Sequence, residues 1–142
     1  MSVSPGHGLL IKGFFADGDE GKYPRPYLVI NVTPQWIQAL NVSSVAGREH
    51  KLLFESNYKL NNYKPPFNFP SFVKLDVLYE IENFPEISSC LINPYQIDQL
   101  ELVNVKDKFH DYSITHNIIR VRYRKDQLIL RNMTLKRVPH DP

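Results

Sequence analysis

The chain is poor in the residues that mark several familiar classes of protein. It has one cysteine, Cys90, which excludes an internal disulfide and a cysteine-based zinc site. No apolar run approaches the length of a membrane span, and no segment has the pattern of a signal peptide. These absences predict a protein of the reducing cytoplasm that makes no contact with a membrane.

The sequence also lacks the short motifs of common nucleotide and metal sites. It contains no glycine-rich phosphate loop, no His-x-x-x-His pair and no Gly-x-Ser-x-Gly elbow, and its five histidines are scattered. We therefore predict neither a metal site nor a bound cofactor.

Positive charge is concentrated in residues 118–137. This segment holds seven basic side chains against one acidic one, a formal +6, whereas the remainder holds ten against fourteen, a formal −4. Such a segment indicates a polyanionic partner, although a solvated strand face would have the same composition. Three of its arginines alternate along one predicted strand face: Arg120, Arg122 and Arg124.

Short strand-forming segments separated by turn residues dominate the local pattern. The predicted strands cover residues 9–15, 26–32, 51–56 and 72–81. The predicted helices cover residues 34–40, with Thr33 as cap, and 94–102, with Asn93 as cap. A hairpin is predicted over residues 119–130. We expect a single mainly β (α+β) domain over residues 1–142, with one to three short helices.

The segment before the second strand places one arginine on a stiff backbone. It reads Gly18-Asp19-Glu20-Gly21-Lys22-Tyr23-Pro24-Arg25-Pro26, so Arg25 lies between two prolines that fix φ. A guanidinium held in this way suits a phosphate group, because its planar fork donates hydrogen bonds in pairs. The alternative is an exposed arginine at the end of a loop.

Residues 57–70 form a predicted irregular loop that is rich in aromatic and basic side chains. The segment has no acid, two lysines, four aromatics, three prolines and four asparagines. Stacking faces and phosphate charge are what single-stranded RNA requires. The candidate RNA contacts are Tyr58, Lys59, Tyr63 and Lys64; alternatively, the aromatics only pack the loop onto the core.

Three blocks of the sequence follow one another in a distinctive order. Gly18-Asp19-Glu20 precedes Arg25-Pro26-Tyr27-Leu28-Val29-Ile30, with five residues from Glu to Arg. Residues 52–56 end in Ser56, and residues 71–76 place Lys74 and Asp76 on either side of one position. Together these blocks resemble the MazF/PemK-like family, the ribonuclease toxins of bacterial toxin–antitoxin systems. Gly21 and Ser56 stand where Gln and Thr are commoner in that family, and Lys74 stands where some of its members have Arg.

The resemblance implies a small, SH3-like, MazF-like β-barrel that forms a homodimer and cleaves single-stranded RNA without a metal. It implies that Arg25 and Lys74 neutralise the phosphate, that Ser56 hydrogen-bonds it, and that Glu20 or Asp76 is the base. The residues predicted to contact this RNA are Lys22, the loop residues Tyr58, Lys59, Tyr63 and Lys64, and the basic face of Arg120, Arg122 and Arg124. A cognate antitoxin, either a protein or, as in the related type III systems, an RNA, would be the other partner.

Two alternatives remain open on the sequence. Lys74 and Asp76 can form a same-face ion pair with no catalytic role, and Glu20 can be a solvated loop acid. A module of the same fold can also bind RNA without cutting it, or bind a protein target as the related gyrase poisons do.

Overall fold

The computed structural model describes residues 2–13 and 23–136, which form a mainly β fold of eight strands and three α-helices. The strands are β1 (His7–Ile11), β2 (Arg25–Val32), β3 (Trp36–Ser44), β4 (Asn57–Lys59), β5 (Ser71–Lys74), β6 (Val77–Glu82), β7 (Leu91–Gln96) and β8 (Ile119–Tyr123). The helices are α1 (Gln99–Thr115), α2 (Lys125–Arg131) and α3 (Met133–Lys136), and 3₁₀ helices cover Glu49–Leu53 and Pro85–Cys90. The predicted mainly β character is confirmed, and so is the strand predicted over residues 26–32.

All eight strands belong to one sheet. Its order is β4-β5-β3-β2-β1-β7, and β6 pairs with β3 and with β8. The pairings are antiparallel except that of β6 with β8, which is parallel. Among the described residues the sheet does not close on itself, because β7, β4 and β8 are left as edges.

Strand β3 is central because it pairs with β2 along one edge and with both β5 and β6 along the other. Val42 pairs with Val73, and Ala39 pairs with Tyr79. An advance of three residues along β3 is therefore matched by an advance of six residues along the chain of β5 and β6. The chain absorbs the extra residues in a bend at residues 75–76. The single strand predicted over residues 72–81 is therefore divided in two.

Alternating side chains place a hydrophobic cluster on each face of the sheet. The first cluster includes Ile11, Tyr27, Val29, Ile37 and Tyr79. The second cluster includes Leu28, Leu40, Val73, Leu102 and Val105. Burial of β2 on both faces, which its unbroken apolar run predicts, is confirmed because Tyr27 and Leu28 are both fully buried.

Helix α1 has 17 residues and covers the second cluster with Leu102 and Val105. Its cap is Asp98, whose carboxylate accepts a hydrogen bond of 3.1 Å from the backbone N–H of Glu101. The helix predicted over residues 94–102 with Asn93 as its cap is therefore wrong in its start and its length. Pro94 instead belongs to β7.

The helix predicted over residues 34–40 is a strand. The hydroxyl of Thr33 accepts a hydrogen bond of 3.0 Å from the N–H of Trp36, and the N–H of Thr33 donates to the carbonyl of Trp36 at 2.8 Å. The threonine thus closes the tight turn between β2 and β3 instead of capping a helix. The apolar residues that follow then alternate between the two faces of β3.

Two further segments differ from prediction. Residues 51–56 were expected as a strand but contain the end of a 3₁₀ helix and a turn, and Leu53 is 87% exposed. The hairpin expected over residues 119–130 is instead β8 followed by α2. β8 pairs in parallel with β6, and the N–H of Lys125 donates to the Glu82 carboxylate at 3.0 Å, which starts the helix.

Candidate functional site

Arg25 begins strand β2 and lies on the sheet face that carries the first cluster, on the same side as Tyr27. It is half-buried. Its positive charge is close enough to act on the hydroxyls of Tyr27, Tyr79 and Tyr123. Arg25 is therefore held against the sheet rather than at the tip of a solvated loop.

These three tyrosines come from different strands and meet beneath Arg25. The ring centroids of Tyr27 and Tyr79 are 4.9 Å apart, and those of Tyr79 and Tyr123 are 5.6 Å apart. The hydroxyl oxygens of Tyr27 and Tyr123 are 3.4 Å apart. Burial is the largest cause that raises the pKa of each hydroxyl, and Arg25 opposes the rise. The hydroxyls are thus protonated at neutral pH and can donate hydrogen bonds.

Lys74 ends strand β5 and is half-buried. Loss of solvation lowers the pKa of its ammonium group, and the positive charges of Lys51, Arg25 and Arg48 lower it further, while Asp76 raises it. We call Arg25, Arg48, Lys51 and Lys74 the cationic cluster. Three like charges around a partly desolvated lysine form a site that favours an anion.

Asp76 lies in the bend between β5 and β6, beside this cluster. The bend is held by its neighbours, since the N–H of Ile119 donates to the carbonyl of Asp76 at 3.1 Å. The N–H of Leu75 donates to the carbonyl of Ser56 at 2.7 Å. The charge of Asp76 acts on Lys74 and on Tyr79. The structure thus brings Asp76 and the backbone of Ser56 to the same region as Lys74.

This arrangement has the groups that acid–base chemistry on a phosphodiester requires. The cationic cluster can neutralise phosphate charge, the Asp76 carboxylate can accept a proton, and protonated tyrosines stand beside Arg25. Cys90 is not a nucleophile for this site, because it is buried and burial raises the pKa of its thiol to about 11.

Two predicted site residues, Glu20 and Lys22, lie outside the described residues. The predicted aromatic contacts of the loop over residues 57–70 are partly used in packing. The hydroxyl of Tyr58 donates to the Glu101 carboxylate at 3.2 Å, and both Tyr58 and Tyr63 pack against the second cluster. The two predicted lysines of the loop, Lys59 and Lys64, are exposed.

The predicted basic face of residues 118–137 lies on β8 and is partly neutralised. Arg120 and Arg122 contact the buried carboxylate of Glu80 at 3.7 Å and 3.3 Å. The guanidinium carbon of Arg122 also lies 4.9 Å from the centre of the Trp36 ring. Arg124 is the cap residue of α2 and is exposed. These arginines remain candidate RNA contacts, with less free charge than the sequence suggested.

The sequence does not indicate the positions of Arg48, Lys51 and the buried tyrosines beside Arg25. Arg48 and Lys51 lie at and within the 3₁₀ helix Glu49–Leu53, where no periodicity indicates which way a side chain points. The tyrosines do lie at inward positions of their strands. Their meeting beneath Arg25 depends on the sheet order, in particular on the parallel pairing of β6 and β8.

Comparisons with protein-family models and with curated protein sequences find no significant match. In the described part of the chain, no group of three or more metal-ligating side chains lies together. None of the helices within residues 2–13 and 23–136 has the length and apolar character needed to cross a membrane.

Proposed function

We propose that this protein is a metal-independent endoribonuclease that cleaves single-stranded RNA as the toxin of a bacterial toxin–antitoxin system. The observation that carries the proposal is the convergence of Arg25, Lys74 and Asp76. The MazF/PemK resemblance assigns catalytic roles to all three. Their mutual electrostatic effects are those of groups that share one site.

In the proposed reaction, the 2′-hydroxyl oxygen of the substrate attacks the adjacent phosphorus and displaces the 5′-oxygen. Asp76 or Glu20 accepts the 2′-hydroxyl proton, and Arg25 stabilises the charge that develops on the phosphate oxygens. Lys74 neutralises the same phosphate, and Ser56 donates a hydrogen bond to it. The departing 5′-oxygen takes a proton from water, and the base later returns its proton to water, so the products are a 2′,3′-cyclic phosphate and a 5′-hydroxyl.

The proposal extends to fold and partners. The open sheet would be a variant of the small SH3-like barrel of MazF-like proteins, because β3 pairs with two successive strands that are joined by a bend. The protein would act in the cytoplasm as a homodimer. A cognate antitoxin, protein or RNA, would bind over the cationic cluster and block it.

The test is to incubate the purified protein with single-stranded RNA in the presence of EDTA. The wild type should cleave, and Arg25→Ala should reduce the rate by about 100- to 1,000-fold, which is typical for removal of one preorganised charge stabiliser. Arg25→Lys should restore little activity, since an ammonium cannot donate in a bidentate pair. Lys106→Ala, which removes an exposed charge on α1, is the matched control.

Two outcomes would contradict the proposal. Cleavage by Arg25→Ala at the wild-type rate would remove Arg25 from the mechanism. A wild-type protein that binds RNA without cutting it, or that inhibits growth through a protein target, would favour the non-catalytic module of the same fold.

A further inference from the structure

Two adjoining cavities lie where the loop over residues 57–70 meets strand β7. The larger has a volume of about 330 Å³, the smaller about 170 Å³, and both are lined by Pro66 and Asn68. Lys64 and Tyr95 line the larger one, and Phe69 lines the smaller one. We call this pair of cavities the double cavity.

Hydrogen bonds join the two sides of the double cavity, and two of its aromatic side chains are exposed. The amide of Asn93 donates to the carbonyl of Pro66 at 3.0 Å and accepts from the N–H of Tyr95 at 3.1 Å, which joins the loop to β7. By contrast, Phe69 is 69% exposed and Tyr95 is 62% exposed. Aromatic faces on a rigid support are the usual stacking surface for unpaired bases.

The lining also carries polar and charged groups that suit RNA. The amide of Asn68 is exposed and can donate to and accept from the edge of a base. Among the described residues that line the double cavity, Lys64 is the charged side chain, and none of these residues has a carboxylate that would repel a phosphate.

The position of the double cavity links it to the candidate site. Pro26 lines the smaller cavity and directly follows Arg25, and Ser43 lines it from the adjacent end of β3. The double cavity therefore lies at the same end of strands β2 and β3 as the cationic cluster, but on the opposite face of the sheet, where Val42 and Phe67 of the second cluster line it. One strand of RNA can run from the cluster around this end of the sheet.

We propose that the double cavity binds an unpaired base of single-stranded RNA, stacked on Phe69 and Tyr95, with Asn68 at the base edge and Lys64 at the neighbouring phosphate. This inference rests on the proposed function, because it assigns the substrate contacts of the same site. It also moves the stacking role from Tyr58 and Tyr63, which pack against the core, to two side chains that are exposed.

The test measures binding of a fluorescent, mixed-sequence oligonucleotide with 2′-deoxyribose, which cannot be cleaved because it lacks the 2′-hydroxyl. Phe69→Ala and Tyr95→Ala should each weaken binding by about 5- to 150-fold, the loss expected for one stacked base. Phe69→Tyr should retain affinity and Phe69→Leu should not, since only an aromatic face stacks. Leu130→Ala removes a similarly exposed apolar side chain on α2 and is the matched control.

The outcomes separate this inference from the proposed function. If the wild type cleaves RNA and every Phe69 and Tyr95 variant binds as tightly as the wild type, the double cavity is not a base site and the ribonuclease proposal stands. If the variants lose affinity but the wild type never cleaves RNA, the base site stands and the ribonuclease proposal fails. If the wild type does not bind the oligonucleotide, the base site is overturned, and the cleavage assay alone decides the ribonuclease proposal.

Discussion

At the scale of single residues, the candidate site departs from what stability alone would select. Lys74 is half-buried among like charges, and its lowered pKa means that the fold disfavours its charged form. A group in such a position destabilises the native state unless an anion is bound. Such a loss of stability is typical of functional sites.

We predict that Lys74→Met raises the stability of the free protein at pH 7 and weakens RNA binding by about 10- to 150-fold, the loss of a hydrogen bond to a charged group. Because the native pKa of Lys74 lies below its usual 10.5, the unfolded chain binds the proton more tightly. The stability penalty is therefore full below the native pKa, and it disappears as pH rises from that value towards 10.5.

Urea unfolding of both proteins at pH 7 measures the first effect, with the exposed Lys106→Met as the control for loss of a surface charge. A lower unfolding midpoint for Lys74→Met than for wild type would mean that Lys74 is a structural ion-pair partner of Asp76.

The sequence predicts those site residues whose surroundings lie close to them in the chain. Arg25 could be found because two prolines and an apolar strand define its surroundings in sequence alone. Lys74 and Asp76 could be found because they lie two positions apart in the sequence, although the chain bends at residues 75–76 and the two residues do not share a strand. Arg48 and Lys51 could not, since their positions depend on turns whose direction is set by tertiary contacts.

At the scale of elements, the errors of prediction have local physical causes. Residues 34–40 carry a helix-start signal, but Thr33 uses its hydroxyl to close a turn, and pairing with β2 and β6 on both sides outweighs helix propensity. The length of α1 was missed because the helix has little amphipathic contrast, with Leu100 and Val103 exposed beside the buried Leu102.

Helix α1 also fixes the loop that leads to the double cavity. The carboxylate of Glu101 is buried and accepts hydrogen bonds from the backbone N–H groups of Asn61 and Asn62 and from the hydroxyl of Tyr58. One helix residue therefore satisfies three donors of the loop, which explains how an irregular, proline-rich segment is held in place.

We predict that Glu101→Ala destabilises the fold by about 3 kcal/mol, because three partly buried donors lose a charged acceptor. Glu101→Gln keeps one carbonyl acceptor and should cost less. Unfolding in urea measures the stability of both variants. Glu86→Ala makes the same substitution at a partly exposed acid of the 3₁₀ helix Pro85–Cys90 and serves as the comparison. Equal stability of Glu101→Ala and wild type would show that water replaces the carboxylate and that the loop is held by packing.

At the scale of the whole molecule, charge is divided between two regions of one sheet. The cationic cluster and Lys64 lie near one end of β2 and β3, with Asp76 as the acid that acts directly on Lys74. Arg120 and Arg122 lie on β8 and share the buried Glu80. The sequence showed only the concentration of positive charge on β8. The residues of the cationic cluster are far apart in the chain and come together only through the order of the strands in the sheet.

This division predicts how RNA binding depends on salt. If the cationic cluster and Lys64 contact phosphates, then log K against log salt concentration should have a slope of about −3.5, from about 0.7 per phosphate contact on a single strand. Lys51→Ala should reduce the magnitude of the slope by about 0.7. Arg120→Ala should change it less, because Glu80 already compensates part of the Arg120 charge. Titrations of the uncleavable oligonucleotide at several salt concentrations measure all three slopes. A larger change for Arg120→Ala than for Lys51→Ala would move the main RNA path to the β8 face and away from Arg25.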